Sequence, residues 1–139
     1  MSKGNTTEAN VIAFIFQATA FPAYGGIYYV ALHTADPGEA GTQATAEATY
    51  TDYARVAVTR DAAGWDVAGN QADNDDILLF PEANASFSPS TQTITHVSIG
   101  LLASGAGQIL YSGALTVPII VAALVTPTFP ANTLVVQED

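Results

Sequence analysis

The stretch that decides the fold is IYYVALH at residues 27–33, which is rich in aromatic and β-branched side chains. A second stretch, TITHVSIGLL at residues 93–102, alternates strictly between two sets of side chains. One set is Ile94, His96 and Ser98, and the other is Thr95, Val97 and Ile99. Both patterns are typical of β-strands and predict a chain built mainly from them.

Further strand-like segments lie on either side of these two. They are short, and turn residues separate them, as in Asp36-Pro37-Gly38. The segments are residues 53–60, 65–67, 77–80, 85–87, 108–115, 119–125 and 132–137. Between them, residues 41–51 predict an exposed loop or arm, and residues 69–76 predict a polar loop. About eight antiparallel strands at this spacing predict a jelly-roll-like β-sandwich, with a single domain over residues 1–139 and a β body at 27–137.

One helix is predicted before the β body, over residues 6–20. Asn5 is the expected N-cap, and Glu8 follows it three residues later. Apolar residues cover most of the circumference of this helix, so we expect it to be buried against a sheet or a partner protein. The candidates for a partner interface are Val11, Ile12, Phe14, Ile15 and Phe16.

Composition excludes several classes of function. The 139 residues include no Cys, so disulfides, thiol catalysis and iron–sulfur clusters are ruled out. The net charge is -10, with only three cations, Lys3, Arg55 and Arg60. Nucleic acid and anionic membranes are therefore not expected partners. Charged residues make up 12% of the chain, below the usual quarter, which favours a component of an assembly. Without a signal peptide or a membrane span, a soluble protein is expected.

No pattern of residues predicts an enzyme. His33 and His96 lie in predicted strands, where a hydrogen-bonded and partly buried imidazole is the expected state, and no nucleophile motif surrounds Ser98. The acidic run at residues 73–76 has oxygen ligands that suit calcium, but it lacks the glycine and the distal glutamate of a calcium loop. We expect no catalytic residue, no metal and no cofactor.

Arg55 leaves two alternatives open. In so acidic a chain it is expected to form an ion pair within the protein. Arginine is also enriched among the residues that dominate protein–protein interfaces, so Arg55 is equally a candidate interface anchor.

Four stretches carry a resemblance to a known family. They are YVALHTADP at residues 29–37, YAR at 53–55, THVSI at 95–99 and GQILYSGAL at 107–115. Together with the apolar N-terminal helix, they are similar to a group of small structural proteins of tailed bacteriophages. Members of that group are described as capsid cement or decoration proteins, or as tail-fibre-like proteins. The resemblance implies a non-enzymatic role in the virion.

The leading hypothesis from this resemblance is a capsid cement protein. Such a protein is made in the host cytoplasm, binds the outside of the icosahedral shell and clamps neighbouring subunits. Its expected partners are the major capsid protein and further copies of itself, as a dimer or trimer. The first alternative is a structural protein of the tail, baseplate or fibre. The second is a carbohydrate-binding β-sandwich, which requires a groove lined by Tyr or Trp with polar groups beside it.

Overall fold

The structure is a computed structural model that describes residues 1–86 and 91–138. The stretch IYYVALH forms strand β2, Ile27–His33, as predicted. It pairs antiparallel with β3, Val56–Thr59, on one side and with β7, Thr91–Gly100, on the other. Because β2 has a neighbour on each side, its apolar residues are central to the fold, and Val30 and Leu32 are fully buried.

The described residues contain one helix and ten strands, all paired antiparallel. The remaining elements are β1 (Ser2–Lys3), α1 (Asn5–Gln17), β4 (Trp65–Ala68), β5 (Gln71–Asn74), β6 (Leu78–Leu79), β8 (Ile109–Ala122), β9 (Thr128–Phe129) and β10 (Val135–Gln137). A large sheet has the order β1-β8-β7-β2-β3, a three-stranded sheet has the order β10-β5-β4, and β6 pairs with β9. The prediction of a mainly β, antiparallel fold with one N-terminal helix is confirmed, although the strands outnumber the expected eight.

One apolar core joins the three sheets. Side chains from the large sheet, such as Leu32 and Ile94, lie in the same buried cluster as Phe129 of β9 and Val136 of β10. Removing these side chains from water is the main favourable contribution to folding, about 25 cal/mol for each Å² buried. The core therefore fixes how the small sheets pack on the large one.

Strand β8 is longer than predicted, because two predicted segments, 108–115 and 119–125, form one strand, Ile109–Ala122. Pro118 lies inside it and has no N–H to donate. The register between β7 and β8 shifts between Ile94 and His96, and the residues opposite this shift include Pro118. The proline is tolerated because the ladder is already interrupted at this irregularity.

Residues 41–51 are not the exposed arm that their composition predicted. Gln43, Ala48 and Tyr50 are buried. The Gln43 amide donates to the Tyr29 carbonyl at 2.9 Å and accepts from the Leu102 N–H at 3.0 Å. The segment is held against the large sheet because its side chains satisfy backbone groups there.

Residues 69–76 are likewise not a loop throughout. Strand β5, Gln71–Asn74, occupies their middle and pairs with β4 and β10. A tight turn at Gly69, where φ is +62°, connects β4 to β5. Polar residues suit this strand because most of its side chains are only half-buried. The predicted segment 85–87 extends into residues outside the described ranges.

Helix α1 begins one residue earlier and ends three residues earlier than predicted. Its N-cap is Gly4, and the expected Asn5 cap is wrong. A side chain at position 4 would clash, since a Cβ there would lie 2.5 Å from the Ile109 carbonyl oxygen.

Among the described residues, no helix is long and apolar enough to cross a membrane.

Candidate interaction surfaces

Helix α1 is attached to the body through its first turns. The Asn5 N–H donates to the Glu39 carbonyl at 2.9 Å. Thr7, which is the buried residue of the helix, donates through its hydroxyl to the Ile109 carbonyl at 3.2 Å and accepts from Gln108 at 3.1 Å. These bonds fix the start of the helix on the end of β8 that carries Ile109.

The second half of α1, residues 12–17, protrudes from the body. We call this segment the protruding half. Phe14 is 55% exposed, Ile15 is 60% exposed and Phe16 is 76% exposed, while Ile12 is also exposed and Val11 is half-buried. Burial was expected against a sheet or a partner, and the described residues of this chain supply no sheet that covers them. Exposed apolar side chains grouped in this way mark an interaction surface.

A series of aromatic rings connects this helix to the sandwich. Phe14 meets Phe21 edge to face, Phe21 meets Tyr24, Tyr24 meets Tyr28, and Tyr28 meets Trp65. The ring centroids are 5.5 to 6.5 Å apart, within the range of favourable aromatic contacts. Through the contact between Phe14 and Phe21, the series supports the protruding half.

Large apolar side chains are also exposed in the C-terminal half of β8 and in the turn that follows it. Val117 is 73% exposed, and Ile120 and Leu124 are also largely exposed. Leu79 of the small sheet is exposed as well. No charged residue occurs between residues 83 and 137, so the long β7–β8 hairpin is free of charge.

Arg55, the remaining interface candidate, is used inside the chain. Its side chain is 1% exposed and forms a two-pronged ion pair with Glu47. Its other donors reach the carbonyl oxygens of Leu102 and Gly105. Of the two alternatives, the structure contains the internal ion pair. The hydrogen-bond partners of Arg55 named above do not include a residue of α1.

The two histidines differ in their surroundings. His33 is fully buried, its Nδ1 lies 2.8 Å from the Thr45 carbonyl, and its Nε2 lies 2.8 Å from the Ser98 hydroxyl. Nδ1 therefore carries the proton, and Ser98 donates to Nε2. Burial lowers the pKa of His33, which keeps the ring neutral. The partner of Ser98 is thus His33 on the neighbouring strand, and both members of the pair are too buried to meet a substrate.

The acidic run at residues 73–76 is organised around one amide. The Asn74 side chain is buried and donates to the carbonyls of Asp76 and Pro130, while it accepts from the N–H groups of Thr133 and Leu134. Across the hairpin, the negative charges of Asp75 and Asp73 raise the pKa of Asp66. In the described ranges, no group of three or more acidic or imidazole side chains is arranged to hold a metal ion.

A groove of about 700 Å³ lies between the large sheet and the three-stranded sheet. Tyr28, Trp65 and Tyr111 line it, and the Arg60 guanidinium lies 5.7 Å from the centre of the Tyr28 ring. Burial raises the pKa of Tyr111, and its hydroxyl bonds to Glu138, which also pairs with Lys3. The indole N–H of Trp65 is buried and has no hydrogen-bond partner among the described residues. This lining has the aromatic and polar groups that the carbohydrate-binding alternative requires, and that alternative stays a prediction.

Comparison with known families identifies the class of protein. Residues 2–137 match the family described as podophage GP4 fiber I protein gp80. Because the match covers almost the whole chain, the chain belongs to this family of phage structural proteins, and its place is in the virion. The resemblance to tailed-phage structural proteins is confirmed at this level. No curated protein matches the chain.

Sequence reasoning selected the five helix residues and Arg55 but missed several exposed residues. Val117, Ile120 and Leu124 are not among its candidates, because residues 119–125 predict a strand and Val117 lies between two predicted strands. The signal that could have found them is the charge-free stretch at residues 83–137, which is unusually long for the surface of an acidic protein.

Proposed function

We propose that the protein is a fibre-associated structural component of the phage particle, which acts by binding other virion proteins and catalyses no reaction. The observation that carries the proposal is the family match over residues 2–137, since the matched family is described as a fiber protein. The protruding half of α1 supplies a surface for such binding, because four large apolar side chains there are more than half exposed.

Capsid cement is the second candidate, and a specific observation favours it. The chain has two exposed apolar surfaces on different elements, one on α1 and the other around Val117 and Ile120 of β8. A protein that clamps neighbouring capsid subunits needs two such surfaces, whereas a protein that caps a single site needs one. The sequence also contains no shaft-like repeat of the kind that long fibres use.

Quantitative mass spectrometry of fractionated virions tests both candidates. Purified particles are separated into capsids and tails with fibres, and the copy number of this chain is measured in each fraction. A small number of copies in the tail and fibre fraction is the result expected for the fibre-associated role. Hundreds of copies in the capsid fraction would establish the cement role instead. Absence from both fractions would overturn the structural role altogether.

The attachment surface is tested in the same particles by a substitution. Phage carrying Phe16→Glu should contain fewer copies, because a charge within an apolar contact has no partner there. The matched control is Gln17→Glu, which adds the same charge to the next, exposed residue of α1. Deleting the N-terminus is a poorer test, since β1 pairs with β8 and Thr7 is buried, so the deletion also removes the edge of the large sheet.

A further inference from the structure

We propose that the groove between the large sheet and the three-stranded sheet binds a neutral oligosaccharide, whose sugar rings pack against the aromatic lining. This site goes beyond the proposed structural function and does not depend on where in the particle the chain is located. The size of the groove, the hydrogen-bonding groups on its walls and the charges around it support the assignment.

The groove has the size and the walls of a ligand site. Its volume of about 700 Å³ lies within the range of about 300–1,000 Å³ that is typical of small-molecule sites. Strands of both sheets form its walls, and the buried side chains of Ile99, Leu110 and Val136 are part of the lining. Because paired strands hold this lining in place, the groove is formed before a ligand arrives.

The residue Glu138 fixes one side of the groove. Its N–H donates to the Asn70 carbonyl at 2.9 Å, and the Asn70 amide donates back to the Glu138 carbonyl. The Glu138 carboxylate accepts from the Tyr111 hydroxyl and pairs with Lys3. Side chains that are ordered before binding lose little entropy when a ligand binds, which favours affinity.

Three aromatic side chains give the groove flat apolar faces. Tyr28, Trp65 and Tyr111 line it, and each of them is only half-buried. A sugar ring has a face of C–H groups, which packs on an aromatic ring through dispersion and through the removal of apolar surface from water. The lining therefore suits a ligand that has an apolar face as well as polar groups.

The walls carry hydrogen-bonding groups of both kinds that the described chain leaves unfilled. The indole N–H of Trp65 is buried without an acceptor among the described residues, which is rare in folded proteins. The side chains of Asn70 and Gln71 bond to described residues through their amide nitrogens, and their oxygens accept no bond from them. A hydroxyl group both donates and accepts, so a ligand with several hydroxyls matches this mixture.

The charges around the groove favour a neutral ligand over an ionic one. Asp61, Asp66 and Glu138 line the groove of a chain with a net charge of -10, so an anion is repelled. A cation would meet Arg60, whose guanidinium already lies 5.7 Å from the centre of the Tyr28 ring, where a cationic ligand would bind. Neutral hydroxyls meet neither obstacle, and they form strong hydrogen bonds to charged side chains.

A glycan array followed by a fluorescence titration tests the inference on the full chain. An array of neutral oligosaccharides identifies a ligand, and the glycan with the strongest signal is then titrated while tryptophan emission is recorded. Trp65 is the single tryptophan and lines the groove, so binding there should change its emission in a saturable way.

Two neighbouring alanines provide a matched pair of variants. Ala62 and Ala63 are both exposed in the turn before β4, and Ala62 lines the groove whereas Ala63 does not. Ala62→Leu should weaken binding about tenfold, because the added side chain takes up space in the groove, and Ala63→Leu should bind within about twofold of the wild type. Both variants should keep the far-ultraviolet circular dichroism spectrum of the wild type, since neither alanine belongs to the core.

Three results would overturn the inference. They are an array on which no neutral glycan binds, binding that Ala62→Leu leaves unchanged, and equal losses in Ala62→Leu and Ala63→Leu. Phage carrying Ala62→Leu should contain the normal number of copies, and a fall in that number would assign the groove to a virion protein instead of a sugar. Because the proposed function is tested by copy number, a chain that binds no glycan but is present in the fibre fraction would reject this site and leave the function intact.

Discussion

Arg55 and Glu47 form a buried, two-pronged ion pair in which Nε lies 2.6 Å from Oε1 and Nη2 lies 2.8 Å from Oε2. The same guanidinium donates to the carbonyl oxygens of Leu102 and Gly105 at 2.8 and 2.7 Å. Arg55 thus connects the segment before β3 to residues 41–51 and to the turn after β7. Part of the sequence that carries the phage resemblance therefore holds the fold together.

Replacing Arg55 with methionine should destabilise the protein strongly. The substitution removes the charged donor of the Glu47 carboxylate, which keeps only the Tyr53 hydroxyl among the donors described, and it leaves the Leu102 and Gly105 carbonyl oxygens without the guanidinium. Breaking a buried pair typically costs about 3–5 kcal/mol. Because Glu47 retains some exposure, we expect the lower end, about 3 kcal/mol. Urea denaturation measures the change in the free energy of unfolding. Arg60→Met, at an exposed arginine, is the control and should cost less than about 1 kcal/mol. A loss below that value in Arg55→Met would refute the structural role.

His33 should make the protein less stable as the pH falls from 7.5 to 5.5. Burial is the main cause that lowers its folded-state pKa, with smaller lowering by Arg55 and His96, while Thr45 and Glu47 act in the opposite direction. The unfolded chain takes up a proton near pH 6.5 and the folded chain does so only at lower pH. Below 6.5 the unfolded state therefore binds more protons, and stability falls.

Thermal melts across this pH range measure the effect. The variant His33→Gln removes the titrating group and should flatten the slope, even if its stability at pH 7.5 is lower. The control His96→Gln retains His33 and removes only the smallest cause of its lowered pKa, so most of the slope should remain. Equal slopes in the wild type and in His33→Gln would contradict this assignment.

Asn74→Asp should lower the stability of the folded protein strongly, although the two side chains have nearly the same shape. The amide nitrogen of Asn74 donates to the carbonyls of Asp76 and Pro130, and a carboxylate would place an acceptor opposite both. Unsatisfied buried groups cost about 1–3 kcal/mol each, so we expect a loss of about 3 kcal/mol in urea denaturation. Asn84→Asp is the control, because the exposed side-chain oxygen of Asn84 accepts a bond from the Ser86 N–H, which aspartate also accepts. Near-equal stabilities of the two variants would show that the Asn74 donors are dispensable.

The groove gives the carbohydrate-binding alternative a direct test. That alternative predicts binding of a neutral oligosaccharide on a glycan array, because a chain of charge -10 disfavours anionic sugars. Trp65→Ala should weaken such binding about tenfold, which is ~1.4 kcal/mol. Phe21→Ala, an exposed aromatic outside the groove, should bind normally. An array without any signal from the wild type would remove this alternative.

The sequence predicts the strands of the large sheet well, since β2 and β7 are decided by local alternation and by aromatic and β-branched side chains. It fails where burial depends on distant partners. Gln43 looks like a loop residue, but it is buried because Tyr29 and Leu102 supply its hydrogen bonds. Strand β1 is too short to carry a pattern and exists only through its pairing with β8.

The candidate site was predictable only in part. The apolar character of α1 is visible in the sequence, but whether a sheet or a partner covers it depends on where the helix leaves the body. The sequence also left two roles open for Arg55, because an internal ion pair and an interface anchor require the same residue type. The structure shows the ion pair with Glu47, which depends on the path of residues 41–51, and the interface role of Arg55 stays a prediction.

The aromatic series from Phe14 to Trp65 has an optical consequence. Trp65 is the single tryptophan, so all indole fluorescence of the protein arises between the two sheets, next to Tyr28. Its emission therefore reports the separation of the sheets without any added dye. Because contacting rings extend from Trp65 to Phe14, the molecule carries a built-in probe that is connected through side-chain contacts to the protruding half of α1.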